Sequence, residues 1–189
     1  MYNGETFVGV IYLFPYIGKP EMAIEAIESA AAGDFSMADD WAPVTMDLDS
    51  YQIQWGFYRN RDCRDEVPFY SYEDYDALMQ GLPPQIVANY RPSLILGLCE
   101  GWPVEPASPI EDQPVVSDVP ALVLSGEIDP ITPPRWAQAA AENLSNSYFY
   151  IFPGYGHGVT RKSPCALDMM LQFFDDPTQE PDSSCIDEH

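Results

Sequence analysis

Basic side chains are scarce in this chain of 189 residues: 8 Lys and Arg stand against 30 Asp and Glu, a formal net charge of −22. A chain so acidic is repelled by a phosphate backbone unless its few cations share one face. Arg59, Arg61 and Arg64 sit close together and the rest are spread along the sequence from Lys19 to Lys162, so nucleic acid is excluded as a partner. Metal-binding spacing is missing too. The four cysteines, Cys63, Cys99, Cys165 and Cys185, form no CxxC and no paired zinc-ligand motif, so no metal and no other cofactor is expected. Long apolar runs are absent: nothing approaches the ~20 residues that span a bilayer, and a membrane role is not expected. The opening MYNGETFVGVIYLF also lacks the basic flank of a secretory signal. Its apolar residues 7–14 therefore read as a buried helix.

What is present suits a folded protein. Apolar residues make up 46% and aromatics 13%, enough for a packed core and unlike a disordered composition. The length fits one domain or a small pair, and 19 prolines imply many loops. An even cysteine count in an acidic, lysine-poor chain fits two disulfides and an oxidising compartment. Four cysteines allow three connectivities, and the sequence alone does not choose among them. The same acidic composition is compatible with a salt-adapted source.

Along the chain, PEMAIEAIESAAAG places Pro20 at a first helical turn, Ala23, Ile27 and Ala30 at helical spacing, and Gly33 where a helix stops. Residues 51–58, YQIQWGFY, suit either a strand or a short helix, while 72–80 and 85–98 read as helical. A proline-rich, acidic stretch from Trp102 to Pro120 reads as a linker or long surface loop. Beyond it the pattern changes to ALVLSG (121–126), PRWAQAAAENL (134–144), SYFYIF (147–152) and CALDMMLQFF (165–174), which reads strand, helix, strand, helix. ALVL is the short apolar run of a parallel strand covered on both faces, and Ala137, Ala140, Ala141 and Leu144 give the next helix one apolar stripe. Two parallel strands make no stable sheet alone. Either the first hundred residues supply more strands or the chain belongs to something larger, and the helical first half favours the second.

Two loops carry the chemistry. Gly126-Glu127-Ile128-Asp129-Pro130 follows the first strand and Gly154-Tyr155-Gly156-His157-Gly158 follows the second, at the sheet edge where ligands and catalytic groups gather in open α/β folds. An Asp that accepts the Nδ1 proton of a His fixes its tautomer and leaves Nε2 as a general base. Singly, the Asp is a common turn residue and the His a common loop residue. Together, with the acid before the base and one helix between, they follow the acid and base order of α/β-hydrolases.

The run VPALVLSGEIDPITPPRWAQAAAENLSNSYFYIFPGYGHGVTRKSPC resembles the C-terminal end of the α/β-hydrolase family that includes secreted tripeptidyl aminopeptidases and their proline iminopeptidase relatives. CEGWPV, with Cys99 and Trp102, RDCRDEVPF, with Cys63 and Glu66, and Gly33-Asp34-Phe35 resemble segments of that family's helical cap. The resemblance implies a partial α/β-hydrolase fold of class α/β. Residues 1–101 would be the helical cap, 102–119 a linker, and 120–189 the last two parallel strands and helices of the sheet. It also implies Asp129 as acid, His157 as base and the pairings Cys63 with Cys99 and Cys165 with Cys185. A cap carboxylate that binds a substrate ammonium would be Glu66, with Asp65 as second choice. Pairing of Glu66 with Arg61 or Arg64, or plain surface exposure, is the competing reading.

One departure governs the activity expected. The family's nucleophile sits in a G-x-S-x-G elbow, and none occurs here: Ser36 and Ser125 both lack its flanking glycines. In the family's order Ser, Asp, His, the serine would precede residue 1, and so would most of the sheet. The expectation is therefore the C-terminal part of a secreted or periplasmic serine exopeptidase, inactive alone, acting on peptides or on small esters and amides when complete. A non-catalytic module that self-associates is the alternative. Phe7, Tyr12, Phe14, Tyr16, Trp102 and Trp136 read as core or cap surface rather than a cofactor box, and exposed they would drive association.

Overall fold

The computed structural model describes residues 4–50, 54–87 and 92–188. In chain order the helices are α1 Gly4–Ile17, α2 Pro20–Ala31, α3 Ser36–Ser50, α4 Trp55–Arg61, α5 Tyr72–Met79, α6 Pro84–Val87 and α7 Pro92–Cys99. Then come β1 Ala121–Gly126, α8 Pro134–Ala141, β2 Ser147–Phe152 and α9 Pro164–Asp175. Residues 55–58 of the ambiguous stretch are helical, while 51–53 lie outside the described residues. The helix read over 85–98 is met by α6 and α7, with 88–91 likewise outside them. Two compact units result: Thr6–Thr45 with Pro114–His189, and Met46–Gln113 with Asn3–Glu5. These units do not follow the 1–101, 102–119 and 120–189 boundaries drawn on the sequence.

In the first unit, β1 and β2 pair in parallel from Ala121 opposite Ser147 to Gly126 opposite Phe152. They are the only strands among the described residues. The strand read as covered on both faces is half-buried over Ala121–Leu124 and buried only at Ser125 and Gly126. The connection through α8 makes a βαβ unit, and α9 packs a buried face of Cys165, Ala166 and Met169 against Phe152 and Val159. Ser163 caps α9 by accepting the Ala166 N–H at 3.2 Å, with Pro164 in the first turn. On α8 the apolar stripe is narrower than read. Ala137, Ala141 and Leu144 are half-buried and Ala140 is exposed.

A second cluster in the same unit joins α1, α2 and α3 through Val10, Phe14, Ala23 and Ala26, with Trp41 edge-on to Phe14 at 5.3 Å. The segment read as a buried helix is helical, with Val10, Leu13 and Phe14 buried and Tyr12 exposed. The buried face of α2 is Ala23 and Ala26, whereas Ile27 is exposed. Two small residues allow close helix approach where a branched side chain would not. Gly33 closes this segment at φ +89°, in the left-handed region that favours glycine. The Asp34 carboxylate then accepts the Ser36 N–H at 2.9 Å as α3 begins.

The second unit contains α4 to α7. Past α4 the backbone widens into a π-turn over Asp62–Glu66, and the buried Asp62 is forked by Arg59 at 3.2 Å and Arg61 at 2.9 Å. Cys63 bonds Cys99 across 36 positions, and Ala107 N–H donates to the Arg64 carbonyl at 2.8 Å. Part of the stretch read as linker is therefore pinned to the π-turn. The first unit holds the other disulfide, Cys165 to Cys185. Both pairings are those the resemblance implies. No helix among the described residues is long and apolar enough to cross a membrane.

Candidate active site

The site forms where β1 and β2 end. After β1 the chain turns at once, and Asp129 N–H donates to the Gly126 carbonyl at 3.2 Å. The Asp129 side chain folds back over the next residues: one oxygen accepts the Ile131 N–H at 2.8 Å and the Thr132 N–H at 3.0 Å. The other accepts the Thr132 hydroxyl at 2.7 Å. An Asp followed by Pro favours this turn, because it binds backbone N–H groups two and three positions on.

Glycines bring the two loops into contact. A Cβ on Gly126 would collide with the carbonyls of Tyr155 and Gly156, and one on Gly156 would collide with the carbonyl of Pro15. Glu127 binds the second loop by accepting the Gly154 N–H at 2.9 Å, and Ile128 N–H donates to the Tyr155 carbonyl at 3.1 Å. Gly154 and Gly158 both take positive φ, +70° and +75°. The second loop thereby delivers His157 to the carboxylate, with Nδ1 at 2.9 Å from Asp129 Oδ2 and 3.1 Å from Oδ1.

Asp129 is 6% exposed. Burial pushes its carboxyl up, but the Thr132 hydroxyl and N–H, His157 and the Ile131 N–H more than offset this and hold it below its ordinary value. A carboxylate cannot donate, so the proton in the bond to His157 belongs to Nδ1. Thr132 Oγ1, 3.3 Å from Nδ1, already donates to Asp129 and can only share that proton as acceptor. The ring therefore has Nε2 unprotonated in its neutral form, the tautomer a general base needs.

The family follows from the same segment. A family model described as TAP-like protein matches residues 85–185, more than half of the chain. This chain belongs to the TAP-like α/β-hydrolase family. No curated protein and no solved structure matches it. The TAP-like match contains Asp129, His157 and three of the cysteines, and stops short of Glu66. Two parallel strands with their helices are compatible with a partial α/β fold.

The structure brings Asp129 and His157 together. Glu66 lies in the other compact unit, half-exposed and 3.7 Å from Arg61, while Asp65 lies 3.3 Å from Arg64. Each candidate for ammonium recognition thus has a guanidinium beside it. Three neighbours of the TAP-like pair have no place at the site in the sequence reading, where Tyr16 reads only as core or cap surface. Thr132 stood in the same D-P-x-T run, and the habit of Asp binding backbone three positions on could have found it. Tyr16, stacked on His157 at 5.4 Å, and Lys162, whose Nζ donates to the Tyr16 carbonyl at 2.6 Å, left no local signal. Among the described residues, no cluster of His, Cys, Asp and Glu is arranged to hold a metal.

Proposed function

We propose that Asp129 and His157 are the acid and base of a serine hydrolase site that cleaves amide bonds near the N-terminus of peptides. The observation that carries this is the buried, ionised Asp129 accepting the Nδ1 proton of His157 at 2.9 Å. His157 Nε2 takes the proton of a serine hydroxyl as that oxygen attacks the carbonyl, and returns it to the leaving amine. Asp129 stabilises the imidazolium between these steps. Residues 1–189 contain no G-x-S-x-G elbow, so the serine and its oxyanion donors come from a hydrolase portion outside them. Without those donors, worth about 10²–10³ in rate on their own, the pair polarises water only weakly and this chain alone is inactive. Residues of the helical first half act as the cap over the substrate.

Glu66 is the proposed partner of the substrate ammonium. Its pair with Arg61 is exposed and 3.7 Å long, and such pairs contribute only about 0–1 kcal/mol, so an ammonium can displace the arginine. The same pairing favours a second reading, in which Glu66 is structural and the substrate is an ester or amide without a free amine. Two disulfides fit secretion or the periplasm.

The test compares this chain with the serine-bearing protein that contains it, on free-amine and N-blocked peptide anilides. Turnover is expected only with the serine present, and Asp129→Asn should then lower the rate by about 10⁴ and His157→Ala by about 10⁶. Wild-type rates in His157→Ala would refute the assignment. A Glu66→Gln variant that leaves the ratio of free-amine to blocked rates unchanged would remove amine recognition and leave the ester or amide reading.

A further inference from the structure

Helix α1 meets both chemical loops with two tyrosines one turn apart, an i, i+4 spacing that puts them on one helical face. Tyr12 donates its hydroxyl to the Pro130 carbonyl at 3.2 Å, on the loop of Asp129. Tyr16 lays its ring on the His157 imidazole, with centroids 5.4 Å apart and planes 20° from parallel. The backbone reinforces the second contact, since Gly156 is seated so closely on the carbonyls of Pro15 and Tyr16 that it has no room for a Cβ. Lys162, just past the His157 loop, holds Tyr16 twice. Its Nζ donates to the Tyr16 carbonyl at 2.6 Å and lies 5.5 Å from the Tyr16 ring. Burial lowers the pKa of this lysine, and nearby Asp129 opposes that, so the ammonium also belongs to the electrostatic surroundings of the acid.

We infer that Tyr16, clamped by Lys162, is a positioning residue that sets the plane of the His157 ring. A hydrogen bond at Nδ1 fixes one atom of the imidazole but still allows the ring to tilt about that bond. A parallel aromatic face removes the tilt, because turning the imidazole would drive its edge into the phenol ring. Together the two contacts fix the direction of Nε2, and a general base acts only within hydrogen-bond reach of its proton. The inference rests on the acid–base reading of Asp129 and His157.

The sequence holds two histidines, His157 and His189, so ring signals of the full 189-residue chain are readily assigned with His157→Gln. In wild type and in Tyr16→Phe, which keeps the aromatic face, the His157 carbon-bound protons should show the upfield ring-current shift of a stacked ring. Tyr16→Leu should lose that shift and broaden the Nδ1 resonance while the protein stays folded by circular dichroism. A folded Tyr16→Leu with unchanged His157 signals would overturn the inference. If Tyr16→Leu does not fold, Lys162→Met decides: a reduced shift supports the clamp, and an unchanged one overturns it. Failure of the underlying reading has a different signature, since Asp129→Ala would then leave the Nδ1 proton in place.

Discussion

At the residue scale the site depends on one carboxylate. Asp129 is buried yet held ionised by the N–H groups of Ile131 and Thr132, the Thr132 hydroxyl and His157. Its folded-state pKa lies below the ordinary 3.8, so its contribution to stability is fully present above the unfolded value and is lost as pH falls through the folded one. Urea denaturation of wild type and Asp129→Asn should therefore show a stability gap that closes as pH falls from about 5 through the carboxylate range. A gap that widened over that range would contradict this sign. Asp129 and His157 were legible in the sequence because each follows a short apolar run and a glycine. Tyr16 was not, because most of the chain separates it from His157 and an aromatic at the end of an apolar helix reads equally well as core.

At the element scale the last strands and helices were legible because turn chemistry and periodicity agree there. ALVLSG and SYFYIF are bounded by glycine, proline or asparagine, and the observed strands start and end where those runs do. The faces of helices were less legible. Small residues line the buried side of α2, so hydrophobicity alone pointed to Ile27 when packing selected Ala23 and Ala26. Helix α3 was missed because Pro43 interrupts its pattern and a proline inside a run argues against a helix. How α1 abuts the second loop is also a matter of contacts invisible in one dimension. A methyl group at Gly156 would meet the backbone carbonyl of Pro15, which cannot move aside as a side chain does. Gly156→Ala should cost about 1–3 kcal/mol in chemical denaturation, the range for overpacked sites. An unchanged midpoint would show that α1 does not press on this loop.

At the scale of the whole molecule, each compact unit has its own disulfide. In the α/β unit the tail past α9 is bound along β2: Tyr148 donates to the Thr178 carbonyl at 3.2 Å and Tyr150 to Glu180 at 2.7 Å. Burial and the Glu180 carboxylate push the Tyr150 phenol up to about 12, so this contact persists at any physiological pH. Cys165 to Cys185 fastens the same tail to α9 over 20 positions. Breaking it with Cys165→Ser and Cys185→Ser should lower stability by roughly 3 kcal/mol, read from urea midpoints under oxidising conditions. No loss would mean that the noncovalent contacts of the tail suffice. The connectivity itself was not readable from spacing and came only with the family resemblance. Division into compact units was not readable either, because helices near the start of the chain cluster with strands near its end.

The central claim is that Asp129 prepares His157 as a base at Nε2, and nitrogen-15 NMR of the histidine rings at neutral pH tests it most directly. The account predicts a His157 ring protonated at Nδ1 and bare at Nε2 in its neutral form, and loss of that preference in Asp129→Ala. A neutral ring carrying its proton on Nε2, or the same spectrum with and without the Asp129 carboxylate, would contradict it.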